Sequence, residues 1–188
     1  MHFSTLFLSP LAAIFLFSVS AVVSLPVESA PSPRAASNNH PLTLGVGHSA
    51  GPQFKEVFAG HFDMASRHLA TGPFGSRVHN AMSGGSMWDA ETGAVVADIL
   101  PFADDGLSST AGPFFPAAVI PLVWTADGHY AVFSTVGVRG GSDHRSWEYA
   151  HVETDSPTYA WMNDQFFLLR VNSSALPRLT FTMYQETS

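Results

Sequence analysis

The chain has 188 residues, no cysteine, 15 Phe and 4 Trp, with 15 acidic against 8 basic residues for a formal net charge of −7. Lys55 is the only lysine and the arginines are scattered, so nothing can track a phosphate backbone; a nucleic-acid partner is excluded and anionic membrane surfaces are disfavoured. Without disulfides, a small exported domain must be held by its core alone, which the aromatic content allows.

An apolar run from Leu6 to Val23 has the length of a signal-peptide h-region and falls short of a membrane span of about 20 residues. Val22 and Ser24 put small side chains at −3 and −1 of a cleavage before Leu25. Residues 1–24 are therefore read as a signal peptide and the mature protein as secreted and off the membrane. An uncleaved anchor is the alternative, because no Lys or Arg precedes the run. Residues 25–41, rich in Pro, Ser, Ala and Asn, read as a disordered spacer. Residues 42–188 are left as a single domain of roughly 140 residues, enough for one core.

Within that domain Phe54–Phe62 is a weakly alternating first strand, and Ser66–Gly75 reads as a loop closed by Gly-Pro-Phe-Gly. Arg77–Met82 alternates until Ser83-Gly84-Gly85 breaks it as a bulge or bend. Ser86–Asp89 and Ala94–Leu100 flank a turn at Ala90–Gly93, and Pro101–Pro116 reads as a long loop. Ala117–Thr125 and His129–Arg139 flank Asp127-Gly128, the strongest hairpin signal in the chain. Ser146–Thr154 is another strand. Ser156-Pro157 then offers an N-cap and first-turn proline for a short helix through Met162. Gln165–Val171 and Leu179–Gln185 form a last hairpin, in which Leu179, Phe181 and Met183 alternate with wetter residues. About eight or nine short strands with one short helix predict an all-β, closed antiparallel barrel, since closure removes unpaired edges. A β-sandwich is the alternative.

Three runs carry a resemblance: Ser83–Gly106 (SGGSMWDAETGAVVADILPFADDG), Leu122–Gly141 (LVWTADGHYAVFSTVGVRGG) and Tyr159–Val171 (YAWMNDQFFLLRV). In this order they resemble domain-of-unknown-function family 3237, over about Gly72 to Gln185. The family's Gly-Gly-Ala-Asp-Trp-like element falls on Ala103-Asp104-Asp105-Gly106, where the resemblance carries over only an acidic residue, best matched by Asp105. It implies a small β-barrel similar in architecture to allene oxide cyclase and dirigent barrels, and no settled activity.

The candidate chemistry begins on one strand. Trp147, Tyr149, His151 and Glu153 fall at alternate positions and share a face, which in a closed sheet lines a pocket if it points inward. His151 would then shuttle a proton, Glu153 orient it, and Tyr149 donate to a carbonyl oxygen. Asp98, in the apolar run Ala94–Leu100, would have a raised pKa on a cavity wall. Arg77, His79 and Arg139 are candidates for binding a carboxylate or enolate, with Asp105 beside them. Trp147 and Trp161 would supply apolar pocket wall. Ser83 imitates a nucleophile elbow but precedes a strand instead of a helix. The histidines show no zinc or cupin spacing, so no metal and no cofactor is expected. Asn172-Ser173-Ser174 is a sequon, making Asn172 a glycosylation candidate.

These readings favour a secreted, cofactor-free cyclase or isomerase acting on a small, largely apolar metabolite of secondary metabolism. Orientation is most of what such an enzyme supplies, so few catalytic residues suffice. A non-catalytic secreted ligand-binding or host-interaction protein is the alternative. A homo-oligomer is left open.

Overall fold

The computed structural model describes residues 51–140 and 142–187. The signal peptide and the spacer lie outside the described residues. The rest is one ten-stranded antiparallel sheet made of β1 (Phe54–Gly72), β2 (Gly75–Asp89), β3 (Val95–Ile99), β4 (Phe102–Ser109), β5 (Phe114–Phe115), β6 (Ala117–Trp124), β7 (Tyr130–Arg139), β8 (Arg145–Thr154), β9 (Phe167–Asn172) and β10 (Arg178–Glu186). From β6 the sheet runs through β7, β8, β9 and β10 to β1, then β2, and returns to β6 through β3 and β4. The sheet is therefore a closed barrel, with one 3-10 turn, Ala160–Asp164, across one end.

Two stretches expected to be loops are strand. Arg67–Ala70 pairs residue for residue with Asn80–Arg77, so β1 continues past Ser66 almost to the turn at Gly75. Phe102–Ser109 pairs along the whole first half of β2, from Met82 to Gly75. Phe102–Ser109 holds Ala, Asp, Gly and Ser, residues of low strand propensity, and partners on either side make it a strand. The Ser83-Gly84-Gly85 break is where β2 bends and exchanges β4 for β3 as its neighbour. Gly84 has φ +111° there, and a Cβ on Gly85 would collide with the His61 carbonyl oxygen. Only glycine fits such an approach.

Alternation decides what enters the barrel. Phe62 stacks on Phe181 at 4.6 Å between ring centroids and meets Phe102 edge-on at 5.2 Å. Around them Met82, Ile120, Leu122, Phe133, Leu169 and Met183 complete a buried middle layer. At the end carrying the 3-10 turn, Trp124 is fully buried against Tyr159 at 3.7 Å. Its indole N–H donates to Thr154 Oγ1 at 2.9 Å, so the polar edge of the ring is not left unpaired. Phe58, Trp161 and Met162 close the same end. That end is an aromatic plug.

Candidate functional site

The opposite end of the interior is polar. On β2, β4, β7 and β8 the inward alternation ends in Asn80, Asp104, Thr135 with Arg139, and Ser146 with Glu148. Asn80 and Asp104 are direct cross-strand partners, and Asn80 Nδ2 donates to Asp104 Oδ2 at 3.1 Å. The Ala117 N–H donates to the other oxygen of that carboxyl at 3.1 Å. Across the lumen, the Ser146 hydroxyl donates to Glu148 Oε1 at 2.7 Å. Glu148 sits opposite Gly137 on β7. A Cβ there would lie 2.5 Å from Glu148 Cγ and collide with the Trp147 carbonyl, so the missing side chain makes room for the acid. Arg139 leaves the end of β7 with its guanidinium 5.1 Å above the Phe114 ring, and Nη1 donates to Ser173 at 3.4 Å.

Apart from Thr135, which lines only the deeper compartment, these side chains surround a cavity of about 70 Å³. A deeper, apolar compartment of about 30 Å³, floored by Phe62, Met82, Phe102, Ile120 and Leu169, shares Asp104 and Glu148 with it. Exposed Arg67, His144 and Leu176 ring the outer end.

Burial raises the pKa of both carboxyls. For Glu148 burial is the largest effect, opposed by the hydroxyls of Ser146 and Thr135 and reinforced by the charge of Asp104. For Asp104 burial again leads, opposed by the hydrogen bonds from Asn80 and Ala117; Asp105 pushes the same way as burial and Arg139 pulls against it. The nearby cation favours the ionised form at Asp104, while no cation acts on Glu148. Buried carboxyls with raised pKa values are suited to exchanging protons near neutral pH. Two buried polar atoms lining this cavity have no partner, Asn80 Oδ1 and Arg139 Nε; the Thr135 hydroxyl lies in the deeper compartment and acts on Glu148. Buried polar atoms are normally satisfied, so each orphan needs a reason.

Of the residues singled out in the sequence, Arg139 lines this cavity. Trp147, Tyr149, His151 and Glu153 do share a face, but it is the outer one; the inward face of β8 is Ser146, Glu148, Ala150 and Val152. His151 and Glu153 stand 3.3 Å apart at the surface, over an open depression. Asp98 points outward between Ser86 and Val123. Arg77 and His79 are exposed on the outside of β2, and His79 bonds Asp105, so the acidic residue matched to the family element faces solvent and its neighbour Asp104 faces the lumen. Trp161 belongs to the plug, at the far end. Asn172 ends β9, its Oδ1 accepting the Ser174 N–H at 3.0 Å. Among the described residues, no three His, Cys, Asp or Glu side chains converge as metal ligands.

No family model matches the chain, and no curated protein matches it. Solved structures do. A conserved protein of unknown function from Rhodopseudomonas palustris is 17% identical with a TM-score of 0.63, over 72% of this chain and 98% of its own. A beta-barrel like protein from Acinetobacter baumannii is 18% identical with a TM-score of 0.64, over 72% and 96%. An enzyme from Penicillium herquei is 12% identical with a TM-score of 0.55, over 86% and 100%. At such identities the likeness is one of fold, and it agrees with the barrel that the resemblance to family 3237 implies.

Proposed function

We propose that the chain is a secreted enzyme of small-metabolite biosynthesis that moves a proton within one substrate, as a cyclase or isomerase, without a cofactor. The observation carrying this reading is the carboxyl pair of buried Glu148 and partly buried Asp104, at the polar end of a lumen whose floor is apolar. One carboxyl takes a proton from the substrate as the other returns one, so substrate and product have equal mass. The apolar floor holds the substrate in one conformation, which supplies much of the rate in such reactions. The likeness in fold to an enzyme is consistent with catalysis and does not specify the reaction.

The test compares small molecules from producing cultures that carry the wild-type gene, no gene, or Asp104→Asn and Glu148→Gln variants. Loss of one metabolite, with an isomer of equal mass accumulating in the deletion and in both variants, supports the reading; an unchanged profile removes it. Secretion rests on the Leu6–Val23 run, and glycosylation on the sequon in the turn after β9. Protein from culture medium should begin at Leu25 and lose mass on treatment with peptide N-glycosidase, and the Asn172→Gln variant should show no such loss.

A non-catalytic interaction role has one observation behind it. Val119, Val136, Val138, Trp147 and Tyr149 lie exposed on the outer faces of β6, β7 and β8. An apolar surface of this kind is a common mark of a docking site.

A further inference from the structure

We propose that the ligand group bound in the lumen is a neutral hydroxycarbonyl, such as an enolised 1,3-dicarbonyl or its phenolic equivalent, held by the two orphan atoms Arg139 Nε and Asn80 Oδ1. This names the substrate class of the acid–base site described above and rests on that site being the functional one. Arg139 Nε–H can only donate, and Asn80 Oδ1 can only accept. The direction of the Asn80 amide is fixed, because its nitrogen must face the Asp104 carboxylate. A ligand that satisfies both presents an acceptor and a donor. Asn80 is 6% exposed, so water from bulk does not reach it freely.

Other small groups fit less well. A carboxylate would satisfy Arg139 but offers nothing to Asn80 Oδ1, and it would add a third acidic group beside Asp104 and Glu148. An ammonium group would meet Arg139 and, at the mouth, Arg67, and it has no acceptor for Nε–H. A sugar ring would set its hydroxyls against Phe62, Phe102 and Leu169 in the floor, where they find no partners. A hydroxycarbonyl has both functions on one flat edge and carbon behind it. At roughly 10–15 Å³ for each atom-sized water, the two compartments together take about seven to ten non-hydrogen atoms, the size of such a fragment. Anything larger must leave its remainder in the mouth, between Arg67 and His144.

The experiment is ligand-observed NMR and calorimetry on the purified protein with three probes of similar size: 2,4-pentanedione, 2-pentanone and butyrate. The diketone should bind at least tenfold more tightly than either of the others. Arg139→Met should abolish that preference. Equal binding of 2-pentanone, equal or tighter binding of butyrate, or no binding of the diketone overturns the proposal. So does an undiminished preference in folded Arg139→Met. Glu148→Gln separates the two claims. Its retained diketone preference supports the substrate class whether or not the metabolite is still made, while continued metabolite formation in that variant counts against the acid–base reading alone.

Discussion

Glu148 carries a carboxyl into the lumen with only hydroxyls and another acid around it. Its folded pKa lies above the ordinary value of 4.5, so between those two values the folded protein holds a proton that the unfolded chain has lost. Stability must then fall as pH rises through that window. Glu148→Gln should remove its share of the fall, leaving the share owed to Asp104, whose pKa is shifted the same way. Thermal unfolding followed from pH 4 to 8 should show the variant gaining on the wild type as pH rises. A constant difference across that range would mean that Glu148 is not strained by its charge. The sequence disclosed Arg139 as a cavity residue but not the acids it serves. Asp104 stands next to Asp105, and the choice between them is a choice of strand register that no local pattern makes.

The strands β4 and β8 show why the register was hidden. On β8 the inward set, Ser146, Glu148, Ala150 and Val152, is smaller than the outward Trp147, Tyr149, His151 and Glu153 and carries an acid of its own, so the bulky aromatics pointed to the wrong side. Bulk was not needed there, because Phe62, Phe133 and Phe181 reach across from other strands. On β4 the residues Asp104, Asp105 and Gly106 look like a turn, and only pairing with β2 makes them a strand. The hairpin at Asp127-Gly128, the break at Ser83–Gly85 and the last hairpin were legible because each depends on local chemistry. Gly137 was not legible, since its purpose lies on the neighbouring strand. Gly137→Ala should cost about 1–3 kcal/mol by crowding and should also abolish activity by displacing Glu148. The exposed Val136→Thr, one residue away, should stay within about 0.5 kcal/mol of wild type in denaturant unfolding. Equal stability and activity of the two variants would show that Gly137 makes no room for the acid.

The barrel closes through β1 and β10, the first and last strands of the described residues, which pair from Phe54 with Glu186 to Asp63 with Arg178. The Arg178 guanidinium donates to both oxygens of Asp63, at 2.7 and 2.9 Å, where that seam ends. The sequence announced closure through its count of strands and its alternation, but not which strands would meet. Removing residues 178–188 takes Leu179, Phe181 and Met183 out of the core and bares the edges of β1 and β9. Such a truncation should lose its near-ultraviolet circular dichroism and its cooperative melting transition; retention of both would show that the seam is dispensable. The aromatic plug bears on kinetics as well as stability. With Trp124, Tyr159 and Phe58 filling one end, the interior is a blind alley, and whatever reaches Asp104 and Glu148 must back out by the way it came. Under the proposed catalysis, departing product and arriving substrate would share a single doorway and could not pass. Turnover should slow as product builds up, with inhibition competitive toward substrate, and nothing can be handed through the barrel from one face to the other.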